Sequence, residues 1–264
     1  MFRRQDNCTL LRNTWAVAAT KVQSADGDDW TVTEVIAENQ ETQTRYSVKG
    51  KVFIDATGDG RLAAEADIPY IIGREGRDRF GEALADMQDD NETMGSSLAF
   101  TSRDMGEKMT FQAPEWATKY RQSDFRFRRI SDIDHGWWWM EVAWPYNTIR
   151  DNEAIRNTLM ESLLGIWDYV KNSGKYPKAE NLALDWLEWW PCKREGRRFQ
   201  GLYTMTQNDV LPDVSARGGN VPPPAPYWDR VSHGGWPLDL HNIKGILDTA
   251  RPPYASFNMP LMYS

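Results

Sequence analysis

A short apolar run followed by small residues, at positions 51–60, constrains the fold of this chain more than any other feature. Val52, Phe53 and Ile54 are consecutive apolar residues, which is typical of a strand covered on both faces in a parallel sheet. Small residues follow the run, and residues 62–66 are helix formers. This order of strand, tight turn and helix predicts an α/β unit that contains a parallel strand.

The turn at the end of this strand has two interpretations. In open α/β sheets, ligands bind beyond the carboxyl ends of strands, where a backbone without bulky side chains approaches them closely. The five turn residues would then form one edge of a nucleotide cofactor site. The alternative is an ordinary strand–turn–helix corner capped by an aspartate. The residues concerned are Ala56, Thr57, Gly58, Asp59 and Gly60.

Four motifs in a fixed order carry a resemblance to a known family. They are Ile54-Asp-Ala-Thr-Gly-Asp-Gly60 (with 62–64 and 73–75 after it), Ile166-Trp-Asp-Tyr-Val-Lys-Asn172, Lys193-Arg-Glu-Gly-Arg-Arg-Phe199 (with 207–209 after it) and Gly234-Gly-Trp-Pro-Leu-Asp-Leu-His241. Together they resemble a bacterial family of FAD-dependent oxidoreductases, whose second FAD-contacting segment is similar to the first motif. The family belongs to the two-dinucleotide-binding-domain flavoproteins, is glutathione-reductase-like, and includes members labelled xanthan lyase. The resemblance implies FAD as cofactor and hydride transfer from a small organic substrate to the flavin.

The resemblance also implies the architecture, which is α/β plus β. A partial FAD-binding Rossmann-like domain is expected at residues 1–72, with an inserted, mainly antiparallel β substrate domain at 73–235. Residues 236–264 would return toward the FAD domain. Two elements are predicted from the residues themselves: a β-hairpin at 30–37 and 44–48, and one long helix at 151–174. The helix has apolar residues at helical spacing, namely Ile155, Leu159, Leu163, Trp167 and Val170.

One expected motif is missing from these 264 residues. The family begins with a strand and G-x-G-x-x-G, whose backbone N–H groups hold the FAD pyrophosphate, and no G-x-G-x-x-G occurs in this chain. We therefore expect an internal fragment of a longer flavoprotein, which by itself carries little or no FAD. The alternative is a genuine short protein that has lost the cofactor, a pseudoenzyme.

Two pairs of residues are candidates for chemistry. If 193–199 is a strand, alternation places Arg194 and Arg198 on one face, where they could bind a substrate carboxylate or phosphate or stabilise a reduced flavin. The alternative for them is a network with the 38 acidic residues. His241, with Asp239 two positions earlier, could act as a base or a donor beside the flavin, and a structural role is the alternative.

Composition excludes several other classes. The formal charge of −7 and the pI of about 5.1 provide no basic face for nucleic acid. No apolar run approaches the roughly 20 residues of a membrane span, and no signal peptide follows Met1. Cys8 and Cys192 alone make neither a disulfide framework nor a metal site. The sequence leaves the substrate, electron acceptor, oligomeric state and compartment open.

The 13 tryptophans support a further interpretation. Most such residues pack in cores, but Trp137, Trp138, Trp139, Trp189 and Trp190 could instead form a platform for stacking sugars. The chain would then be a non-catalytic carbohydrate- or ligand-binding β domain.

Overall fold

The computed structural model describes residues 6–27, 29–126, 128–137, 140–194 and 196–210, and the backbone of two later strands. The helices among them are α1 (Arg61–Glu65), α2 (Arg77–Phe80), α3 (Asn152–Asn172) and α4 (Gln207–Val210), with 3₁₀ turns at Gln122–Phe125 and Pro177–Ala179. The strands are β1 (Thr14–Gln23), β2 (Trp30–Asn39), β3 (Arg45–Lys49), β4 (Tyr70–Ile71), β5 (Phe100–Asp104), β6 (Leu182–Leu187), β7 (Arg198–Phe199), β8 (Pro237–Leu240) and β9 (Ala255–Asn258).

The chain forms two compact units. The first comprises the described residues up to Ile71 together with Arg197–Tyr203. The second comprises Ile72–Gly196 and the described residues from Thr204 onward. The division into domains at 1–72, 73–235 and 236–264 stays a prediction, as does the insertion of one domain into another.

The first unit contains a three-stranded antiparallel sheet in the order β1-β2-β3. Val35 of β2 pairs with Val48 of β3, and the Glu38 carboxylate at the hairpin end accepts from Arg45 Nε at 2.8 Å. The hairpin predicted at 30–37 and 44–48 is thereby confirmed. Helix α1 packs against β1 on this sheet.

The prediction of a buried parallel strand at 51–55 is wrong. These residues belong to no strand, and Val52 and Ile54 are 81% and 85% exposed. An apolar run becomes a buried parallel strand only when partner strands and helices cover both of its faces. Among the described residues every paired strand is antiparallel, and residues 51–55 pair with none of them.

The core of the second unit forms around α3, which confirms the predicted long helix. Its apolar face is completely buried, and it packs with Phe100 of β5 and with Trp137. Strand β6 pairs with β5 in an antiparallel ladder. The described fold is therefore mixed α/β with antiparallel sheets and few helices.

Candidate functional site

The small-residue turn at 56–60 is held by the carboxylate of Asp55. Asp55 Oδ1 accepts hydrogen bonds from Thr57 N at 2.9 Å and from Thr57 Oγ1 at 2.7 Å. Its Oδ2 accepts from Ala63 N at 2.8 Å, and Thr57 Oγ1 accepts from Arg61 N at 2.7 Å. Asp55, at the end of residues 51–55, thus ties this segment to both the turn and α1.

These hydrogen bonds change the acidity of Asp55. Its partial burial by itself would raise the pKa, but the bonds from Ala63 and Thr57 favour the charged carboxylate and outweigh it. The pKa of Asp55 therefore lies below its usual value. The turn is held by an ionised group at neutral pH.

Two glycines of the turn have positive φ, and they differ in the space around them. Gly58 has φ 84°, and no atom lies within 4 Å of the position that a Cβ would occupy. Gly60 has φ 63°, and a Cβ there would lie 2.1 Å from the ring of Phe199. Gly60 is thus required by packing, whereas Gly58 leaves open space where a ligand can approach the backbone.

A segment far along the chain completes this site. Strand β7 pairs with β4 in antiparallel register, and the rings of Phe199 and Tyr70 meet edge to face at 5.8 Å. Arg197, the residue before β7, donates from Nη1 to the carbonyl oxygen of Asp59 at 2.9 Å. Sequence reasoning missed Arg197, and the only signal was its place in the arginine-rich motif.

The arginine pair predicted on one strand face is not arranged that way. Strand β7 covers only Arg198–Phe199, and Arg198 pairs with Ile71 in the first unit. Arg194 lies outside any strand, in the second unit, where its Nη2 donates to Glu141 Oε1 at 2.8 Å. The prediction of one shared face is therefore wrong.

A buried carboxylate explains the position of Arg194. Glu141 is 1% exposed, and Arg128 Nη1 lies 3.6 Å from its Oε2. A carboxylate removed from water needs a positive partner and satisfied hydrogen bonds. Arg194 supplies both, so at least part of its function is structural.

The other predicted catalytic residues are only partly covered by the described structure. Asp239 lies in β8, where its backbone pairs with Ser256 of β9. His241 lies outside the described residues. The catalytic assignment of both stays a prediction.

The predicted tryptophan platform is contradicted at Trp137 and stays a prediction at the other positions. Trp137 is 1% exposed and packs in the core of the second unit. Its ring centroid lies 4.4 Å from that of Phe100. Trp138 and Trp139 lie outside the described residues. Trp189 and Trp190 are exposed, and the guanidinium of Arg156 lies over the Trp189 ring at 4.7 Å. A continuous platform that includes Trp137 is excluded.

Two further features concern metals and membranes. In the described part of the chain, no three His, Cys, Asp or Glu side chains are grouped to hold a metal ion. No helix within the described ranges has the length and apolar character needed to cross a membrane.

Comparison with known proteins identifies the family. The model of the family described as FAD dependent oxidoreductase matches residues 1–262. No curated protein and no solved structure gives a significant match. Because the family model spans nearly all of the sequence, the chain belongs to the FAD dependent oxidoreductase family.

Proposed function

We propose that this protein is part of an enzyme that transfers a hydride from a small organic substrate to the flavin of FAD. When bound, FAD supplies the electron-accepting ring, and the protein supplies binding and orientation. The observation that supports this assignment is the turn at 56–60, whose open side at Gly58 is held in place by Asp55 and Arg197.

The residues of the turn fit a dinucleotide cofactor. Gly58 leaves its backbone accessible, and the neighbouring Arg197 places a cation beside the turn. Arg197 Nε is shielded from solvent and has no acceptor among the described residues. Such an N–H group is suited to an anionic oxygen. We propose that Ala56, Thr57, Gly58, Asp59 and Gly60 line the FAD.

The roles of the remaining candidates follow from their chemistry. We propose His241 as the acid or base at the substrate, with Asp239 orienting it. We propose that Arg198 binds an anionic group of the substrate. Arg194, whose Nη2 donates to Glu141, is a separate candidate for such a contact. Exclusion of water from these groups would strengthen each contact.

The missing G-x-G-x-x-G bears on how tightly FAD is held. We propose that these 264 residues bind FAD weakly by themselves, because no G-x-G-x-x-G occurs among them to supply the main backbone donors for the diphosphate. Stoichiometric flavin in the purified chain would contradict this part of the proposal.

Stopped-flow measurement of flavin reduction tests the proposed reaction. In the flavin-loaded enzyme, His241→Asn is expected to slow flavin bleaching by substrate about 100-fold or more, the scale of general acid–base catalysis. The matched control is His135→Asn, because His135 is an exposed histidine at an isolated bridge to Thr101. Bleaching at the normal rate in His241→Asn would remove His241 from the active site. No bleaching with any organic reductant in the native protein would favour the pseudoenzyme.

A further inference from the structure

Arg197 uses one edge of its guanidinium and leaves the other unused. Nη1 donates to the Asp59 carbonyl at 2.9 Å, on the turn at 56–60. Nε is shielded from solvent without a hydrogen-bond partner among the described residues. In a guanidinium group, Nε–H and one Nη2–H point the same way and form the edge that binds carboxylate and phosphate groups bidentately. The unused edge of Arg197 is therefore its anion-binding edge.

The side chain is held in this orientation by its neighbours. The guanidinium lies over the Tyr70 ring, 5.4 Å from its centroid, and Phe199 packs against Tyr70 and Gly60. A buried N–H without a partner costs free energy, so folded proteins rarely keep one unless another molecule satisfies it. The Arg197 edge thus combines a fixed direction with an unsatisfied donor.

The charge of the surroundings explains why a cation is needed here. Asp55 precedes the turn and Asp59 lies within it, and two carboxylates would repel an anionic ligand. Arg197 offsets that repulsion at the carbonyl that follows Gly58, where the backbone is open. The anionic part of FAD is its diphosphate, and the G-x-G-x-x-G that would bind it is absent from this sequence.

We propose that Arg197 binds an oxygen of the cofactor diphosphate through its Nε–Nη2 edge while its Nη1 holds the turn through Asp59. This inference rests on the proposed function and deepens it, because it names the residue that recognises the phosphate-bearing part of the cofactor. It makes β7 and the preceding arginine part of the cofactor site, although they lie far along the chain from the turn.

Titration of the 264-residue chain with FAD, ADP and riboflavin tests the inference without any turnover. We expect Arg197→Lys and Arg197→Gln to weaken FAD and ADP binding about 10-fold or more, the scale of a charge-assisted hydrogen bond, with riboflavin affected little. Lysine keeps the charge and can still reach Asp59, but it has no planar edge. In the native chain, the Arg197 Nε–H resonance should shift with ADP and FAD, and not with riboflavin.

A matched control is Arg61→Gln, which removes a cation from the end of the same turn. Arg61 pairs with Glu65 along α1 at 2.7 Å, so its loss should change ADP affinity less than about 2-fold. Three results would each overturn the inference: native affinity in Arg197→Lys, equal losses for riboflavin and ADP, or an Nε–H resonance unmoved by millimolar ADP. Arg197-dependent ADP binding without flavin reduction by substrate would leave the inference standing and reject the proposed reaction.

Discussion

The two units of this protein are stabilised by different kinds of contact. In the second unit, Leu159, Leu163 and Trp167 of α3 have no exposed surface and pack with Phe100 and other core residues. The first unit contains three of the described buried apolar residues, namely Val35, Ala37 and Ala66, and it exposes Trp15, Trp30, Val52 and Ile54.

This difference shows how the candidate cofactor turn keeps its shape. The turn at 56–60 is not supported by a closed apolar core. It is held by the carboxylate of Asp55, by the guanidinium of Arg197 and by one aromatic contact at Gly60. Hydrophobic burial provides most folding free energy, so we expect substitutions in the second unit to cost more stability than those in the first.

The largest expected effect is that of Trp167→Ala. Trp167 is completely buried, with ring centroids 5.7 Å from Phe100 and 6.4 Å from Trp137. Its truncation should lower the free energy of unfolding by about 3–5 kcal/mol. The comparison variant in the first unit is Ile54→Ala. It should change the free energy of unfolding by no more than about 0.5 kcal/mol, because Ile54 is exposed. Denaturant unfolding followed by circular dichroism measures both.

The Ile54→Ala variant tests directly whether residues 51–55 are exposed in solution. A loss of about 2 kcal/mol or more for Ile54→Ala would mean that the side chain is buried in solution. That outcome would restore the covered parallel strand expected from residues 51–55, and it would remove the contrast between the units.

The next largest effect concerns the buried charge cluster of the second unit. Glu141→Gln should lower stability by about 2–3 kcal/mol, because Arg128 and Arg194 would lose the carboxylate that neutralises them. Arg194→Gln should lower stability less than Glu141→Gln, because Arg194 is more exposed than Arg128 and because Arg128 would still pair with Glu141. Thermal melts check the order. An unchanged melt in Arg194→Gln with lost flavin reduction would instead assign Arg194 to the substrate.

Local periodicity in the sequence was enough to predict some elements and not others. Helix α3 was predicted correctly because a 3.6-residue repeat reports directly on one buried face. The β2–β3 hairpin was predicted correctly from two strand-forming runs around a polar turn. The run at 52–54 carries the same apolar signal, but its burial depends on partner strands that the run itself does not encode. The pairing of β6 with β5 joins two distant segments, which local periodicity does not encode.

The candidate site was predictable only where its residues are contiguous. The tight turn predicted at residues 56–60 is present, and Gly58 and Gly60 within it both have positive φ. The contact between Arg197 and Asp59 joins residues 138 positions apart, which no local pattern in one sequence reveals. Likewise, the sequence assigned Arg194 and Arg198 the same role, because the contact of Arg194 with Glu141 joins two distant segments.

A smaller effect separates the two glycines of the turn. Gly58→Ala and Gly60→Ala both place a side chain at positive φ, but only Gly60→Ala overlaps the Phe199 ring. We expect Gly60→Ala to lower the free energy of unfolding by about 1–2 kcal/mol more than Gly58→Ala does, which is the scale of overpacking. A double-mutant cycle with Phe199→Ala should recover most of that difference. Equal costs for the two glycines would show that Phe199 does not pack on the turn in solution.

The smallest expected effect is a pH dependence confined to the turn. The folded pKa of Asp55 lies below its unfolded value, because the hydrogen bonds from Ala63 and Thr57 outweigh its partial burial. The stabilisation is therefore fully present above the usual aspartate pKa of about 3.9 and is lost as the pH falls through the lower folded value. The backbone amide resonances of Thr57 and Ala63 should titrate together below about pH 4, and Asp55→Asn should abolish that titration. The indole resonance of Trp167 in α3 should not move in the same window. If it moves in step with Ala63, acid is unfolding both units at once, and the turn has no separate polar support.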